Sequence, residues 1–198
     1  MVFLNVGLCA LVVGKLCGGS LSNLGATPVR SKWLAFVAVG LQLAAFPTAI
    51  LPWSTPTSVA KGLWLASYVL LVAMLVRNSA RAGVTIIAAG IACNLVAILA
   101  NDGLMPVRQS AEAGAGRSYR LHDNSILLAH PKVALLIDRW AVPRWIPLGN
   151  VFSIGDVLIA LGTFVVVVMA MQRPGVGRDP KGEAEPRPRA GATETSGA

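Results

Sequence analysis

The sequence predicts an all-α, polytopic transmembrane bundle of five spans, with an extracytoplasmic interfacial helix and a disordered C-terminal tail. Three observations predict it. Of 198 residues, 55% are hydrophobic and only 13% charged, whereas a soluble domain carries about 25% charged residues. Mean hydropathy is +0.64. Apolar runs close to the length of a membrane crossing recur five times, and the apolar character then ceases after Gln172.

The net charge of +8, from 17 basic and 9 acidic residues, would point to nucleic acid in a soluble chain. In a membrane chain, basic residues collect at cytoplasmic loop ends and against anionic headgroups. The surplus therefore calls for membrane lipids as partners and for no nucleic acid. The three cysteines (Cys9, Cys17, Cys93) have no C-x-x-C spacing and read as small apolar side chains.

The first span covers residues 1–16, interrupted by Asn5 and Lys15. No basic stretch precedes it, so a retained span fits better than a cleaved signal. The second, residues 33–53, runs from tryptophan to tryptophan. Its length matches the roughly 30 Å of hydrocarbon with both rings at the interfaces, and Pro47 is expected to kink it. The third and fourth cover residues 59–76 and 84–100. The fifth covers residues 152–171, after an outer loop of residues 101–151.

Within that loop, residues 109–119 are rich in Ala, Gly and Ser and read as flexible linker. Residues 131–140 regain apolar character behind Pro131, which suits a first helical turn. Ten residues cannot cross a bilayer, so the expectation is an interfacial or re-entrant helix. The tail from residue 173 holds Pro, Gly, Arg and Glu with little to bury, which predicts disorder. Lys and Arg divide ten to seven between the two sides, which places the N-terminus outside and the C-terminus in the cytoplasm of a cell-membrane protein.

Asp156 and Asp138 are the candidate catalytic residues. An ionisable side chain about one turn inside the fifth span is a candidate functional group. Ser153-Ile154-Gly155-Asp156 is also a capping box, which explains Asp156 structurally. Asp138 stands 18 residues earlier, across a Pro- and Gly-containing connection. Either it pairs with Lys132 or Arg139 on an exposed face, or it meets Asp156, and two carboxylates in a low-dielectric site would share a proton and divide the roles of acid and base. Asn94, Asn101, Asp102 and Ser153 are the candidate binding residues. Asn94 lies inside the fourth span, where an amide bonds to a neighbouring helix. Asn101-Asp102-Gly103 reads as a helix stop and turn. His122 and His130 lack a third ligand at metal spacing, so no metal and no other cofactor is expected. Gly18-Gly19-Ser20 reads as a turn and helix start.

The segment Ile137-Asp138-Arg139 and the segment Phe152-Ser153-Ile154-Gly155-Asp156 resemble the aspartate-bearing segments of signal peptidase II, with Ser153 where that family has asparagine. The likeness implies an aspartyl hydrolase with Asp138 and Asp156 as its carboxylate pair. Four segments together resemble another family: residues 14–24, residues 101–107, the Asp138 region, and residues 147–158. They are similar to bacterial integral-membrane proteins grouped as domain-of-unknown-function family 5317, a likeness that implies a fold and a membrane address but no activity.

Two classes of function follow. One is a non-enzymatic accessory or small-solute transport component, with an unidentified protein partner or solute and with Gln42, Asn94 and Asp156 lining one cavity. The other is the membrane aspartyl hydrolase, which requires the two carboxylates within about 5 Å of each other.

Overall fold

The computed structural model describes residues 2–46, 55–115, 125–142 and 151–173. Among them the chain is mostly helical. The helices are α1 (Val2–Leu16), α2 (Leu21–Ala26), α3 (Trp33–Ala45), α4 (Thr57–Arg77), α5 (Val84–Ala100), α6 (Gln109–Ala115) and α7 (Ile154–Gln172). Four short strands lie between α5 and α7: β1 (Met105–Val107), β2 (Ser125–Leu127), β3 (Trp140–Ala141) and β4 (Val151–Phe152). The long helices pack as a row, α3 on α4, α4 on α5, α5 on α7 and α7 on α1.

Two of these helices, α4 and α7, are long and apolar enough to cross a membrane. Large apolar side chains such as Phe36, Val69, Leu99 and Leu161 face outward, so the bundle keeps oily surface outside as well as within. Two long apolar helices suggest association with a membrane. Inside the row, Trp64, Ala97, Ile98 and Met105 form one cluster, and Leu75, Val84 and Ile91 a second, with Tyr68 touching both. Val107, Ala111 and Val151 form a third under the strands.

Glycine sets how closely α5 and α7 approach. A Cβ on Gly90 would lie 2.5 Å from the Gly155 carbonyl oxygen, and one on Gly162 would lie 2.6 Å from the Gly83 carbonyl oxygen. Small residues at facing positions let two helix backbones approach closely.

Several expectations need correction. Of the expected second span, α3 covers residues 33–45, and the kink expected at Pro47 falls outside the described residues. Phe46 is extended (φ −126°, ψ 124°), as the residue before proline prefers, and residues 47–54 lie outside those described. No helix forms at residues 131–140. The Asn101 side chain binds both backbone groups of Lys132, accepting from its N–H at 2.9 Å and donating to its C=O at 3.1 Å. Val133 has a positive φ of 48°, and the segment ends in strand β3. The interfacial helix is thus replaced by turns and a short sheet.

The stretch read as flexible linker begins instead as the helix α6; residues 116–124 lie outside those described. The expected turn residues Pro143, Pro147 and Gly149, His122, and the tail from residue 174 also lie outside. Elsewhere the agreement is close. Helix α5 occupies the residues expected for the fourth span, α4 extends the third by a few residues, and α7 begins at Ile154, two residues after the expected start.

Candidate functional site

Short strand pairings bring the two aspartates together. Val107 pairs with Asp138 in a parallel bridge, the Asp138 N–H donates to Pro106 C=O at 3.0 Å, and the Asp138 C=O accepts from Arg108 N–H at 2.8 Å. Both backbone groups of Asp138 are thereby tied to β1. Trp140 and Ala141 then pair antiparallel with Phe152 and Val151, and Arg139 N–H donates to Phe152 C=O at 3.2 Å. Extending that register sets Asp138 across from Ile154, half a turn before Asp156.

Asp156 stands in the first turn of α7, where the positive end of the helix dipole favours a carboxylate. The capping box is present in both directions. Asp156 N–H donates to Ser153 Oγ at 3.1 Å, and Ser153 N–H donates to Asp156 Oδ2 at 3.0 Å. Asn94 reaches across from α5 and donates from Nδ2 to Asp156 Oδ1 at 3.0 Å. Ser153 Oγ lies 2.9 Å from Asn94 Oδ1 and 3.0 Å from Asp156 Oδ2, and its single proton serves one or the other. The cap and the interhelical bond are therefore one network, and the glycine contact makes it possible: a Cβ on Gly155 would overlap Asn94 Oδ1.

Asp138 is buried (9% exposed) close enough to Asp156 to interact with its charge. Burial pushes its carboxyl up from 3.8 to about 7, and the charge of Asp156 and the hydrogen bond with it add to the rise. Its Oδ1 is buried without a hydrogen-bond partner. The exposed ion pair with Lys132 or Arg139 is not formed. Tyr68 on α4 is half-buried and stands within electrostatic reach of both carboxylates.

The structure thus gathers Asn94, Ser153, Asp138 and Asp156. It does not gather Asn101 and Asp102 with them. Asn101 clasps Lys132, and Asp102 is exposed at φ 58° in the turn that closes α5. Gln42 bonds Ser67 on α4 at 3.0 Å, apart from the Asn94–Asp156 pair. Sequence reading missed Tyr68 and the glycines. The seven-residue spacing shared by Gly83/Gly90 and Gly155/Gly162 was a usable signal for the second, whereas a tyrosine within an apolar run carries none.

The arrangement can hold one proton between two carboxylates, one of which keeps a buried oxygen without a hydrogen-bond partner. Beside it Trp140 and Phe152 stack at 5.8 Å, and with Ile154, Val157 and Leu158 they line an open apolar groove of about 360 Å³. Among known proteins, the model of a family of unknown function, DUF5317, matches residues 26–168. No curated protein and no solved structure matches the chain.

Proposed function

The chain belongs to the DUF5317 family of unknown function, and from that premise we propose that it is a membrane-interface aspartyl hydrolase with Asp138 and Asp156 as its working pair. The observation that carries this reading is the burial of Asp138 beside Asp156, which raises the Asp138 carboxyl to about 7. One member of such a pair holds a proton near neutral pH while the other is ionised, which is the division that hydrolysis by a carboxylate dyad uses.

In the proposed reaction the ionised carboxylate takes a proton from water as the water oxygen bonds to the substrate carbonyl carbon. The protonated carboxyl gives its proton to the carbonyl oxygen. Collapse of the tetrahedral adduct breaks the bond to the leaving group, which departs with a proton returned by one carboxyl. A hydroxyl of the adduct gives its proton to the other carboxylate, leaving the product acid and a pair that again holds one proton. Asn94 and Ser153 hold the Asp156 carboxylate in place, and the raised Asp138 keeps its proton in the working range.

In the same reading all five long apolar helices enter the bilayer, with the N-terminus outside, the C-terminus cytoplasmic, and the pair at the outer interface. Helices α1, α3 and α5 have 15, 13 and 17 residues, below the roughly 20 of a full crossing. Their support is that each packs against a neighbour in one row with α4 and α7. The transport reading asks for one polar cavity near the midplane, whereas Gln42 bonds α4 and Asn94 bonds α7.

The test uses the full chain in phospholipid nanodiscs, given a panel of membrane-embedded amide and ester substrates in H₂¹⁸O. Expected are ¹⁸O in the product carboxyl and turnover that falls by at least a thousandfold in Asp138→Asn and in Asp156→Asn. Turnover that survives in both variants, or its absence across the panel, would overturn the reading.

A further inference from the structure

On the face of the strand opposite the carboxylate pair lies a cup of about 760 Å³. Alternate residues of a strand point to opposite sides. Ile137 and Arg139 line the cup, while Asp138 between them meets Asp156. Because Val107 pairs with Asp138 in parallel, Arg108 and Arg139 follow side by side, with backbones at the strand spacing of about 4.8 Å. Both line the cup, together with Ser110 and His130.

Like charges placed directly opposite on paired strands destabilise them. Among the described residues neither guanidinium has an ion-pair partner. Arg139 lies over the Trp140 ring at 5.0 Å, a contact that attracts the cation without neutralising it. Two neighbouring arginines that line one concavity, with no ion-pair partner among the described residues, are what an anion would neutralise.

We propose that this cup binds a phosphoryl group carried on an organic body. Two guanidinium forks offer more donors than the two oxygens of a carboxylate use, and they match the several oxygens of a phosphate. Ser110 and His130 add side-chain donors. The volume falls within the roughly 300–1,000 Å³ of small-molecule sites, more than a bare ion fills, and Leu128 and Ile137 supply apolar wall for the attached carbon. A phospholipid headgroup and a free phosphate ester share this chemistry. The cup and the carboxylate pair lie on opposite faces of the strand, so the proposal stands independently of the hydrolase reading.

The test measures binding, not turnover. Full-length protein in phosphatidylcholine nanodiscs is titrated with glycerol 3-phosphate by calorimetry. In parallel, nanodiscs containing phosphatidylglycerol are examined by native mass spectrometry for lipid retained on the protein. Binding of glycerol phosphate identifies a soluble ester as the source, and retention of phosphatidylglycerol without it identifies the headgroup. Either supports the site if Arg108→Gln and Arg139→Gln each weaken binding at least tenfold while Arg173→Gln, at the far end of α7, leaves it unchanged. Circular dichroism checks that the variants fold, and Arg108→Lys is expected to retain part of the binding. If neither probe binds, or if both arginine variants bind as the parent does, the proposal is wrong.

Discussion

Replacing Asp138 by asparagine should make the protein more stable at high pH, although it removes half of the carboxylate pair. The native carboxyl keeps its proton up to about pH 7, whereas in the unfolded chain it releases it near its ordinary 3.8. Between those values the folded state binds more protons than the unfolded one, so stability falls as pH rises through the window. A gap of roughly three pH units, at about 1.4 kcal/mol each, amounts to about 4 kcal/mol. The full penalty is reached a little above pH 7 and is absent below about pH 4. Asparagine at 138 has nearly the same shape, can still donate to Asp156, and never has to be buried as an anion. The measurement is reversible unfolding in detergent micelles from pH 4 to 8.5. The curves for the parent and Asp138→Asn should meet at the acid end and separate by about 4 kcal/mol at pH 8, with the variant the more stable. Parallel curves would refute the claim that burial beside Asp156 holds the Asp138 proton.

Asn94→Leu removes the donor to Asp156 Oδ1 and should cost about 1.5–3 kcal/mol, the range for a hydrogen bond to a charged group, read in the same unfolding assay at pH 7. Gly155→Ala drives a methyl into Asn94 and toward the Gly90 carbonyl oxygen, 2.7 Å from the new Cβ. Its expected cost is about 1–3 kcal/mol of overpacking, whereas Gly40→Ala, with open space around it, should cost nothing measurable. Ser153→Ala removes the N-cap of α7 and should lose about 1 kcal/mol or somewhat more, with fraying visible as faster amide exchange at the start of that helix. A reporter fused after residue 172 should be active in the cytoplasm; activity on the outer side would reverse the proposed orientation.

The legible parts of the sequence were those governed by local rules. Residues 84–100 form an apolar run between Gly83 and Asn101, and a helix occupies that run because a positive-φ glycine opens it and an asparagine turn closes it. Ser153 and Asp156 announced their cap because the box needs only a three-residue spacing. Asn94 was recognisable as an amide that must find a partner on another helix. The loop was misread because its structure is made by distant partners. Residues 131–140 carry a helix-like composition, but Asn101 occupies the Lys132 backbone and β1 occupies that of Asp138. No local signal within the ten residues records either contact.

Sequence alone therefore determined the oily helical segments, the cap on α7 and the pair of aspartates worth watching, because each depends on composition or on short spacing along the chain. Tertiary structure decided that Asp138 is buried near Asp156 and not paired with a surface cation, that Tyr68 comes within electrostatic reach of both, and that Arg108 and Arg139 line one cup. Those outcomes depend on two-residue strand pairings and on a glycine-limited approach of α5 to α7. Such contacts join residues tens of positions apart, and their register is fixed only when the intervening chain folds back on itself.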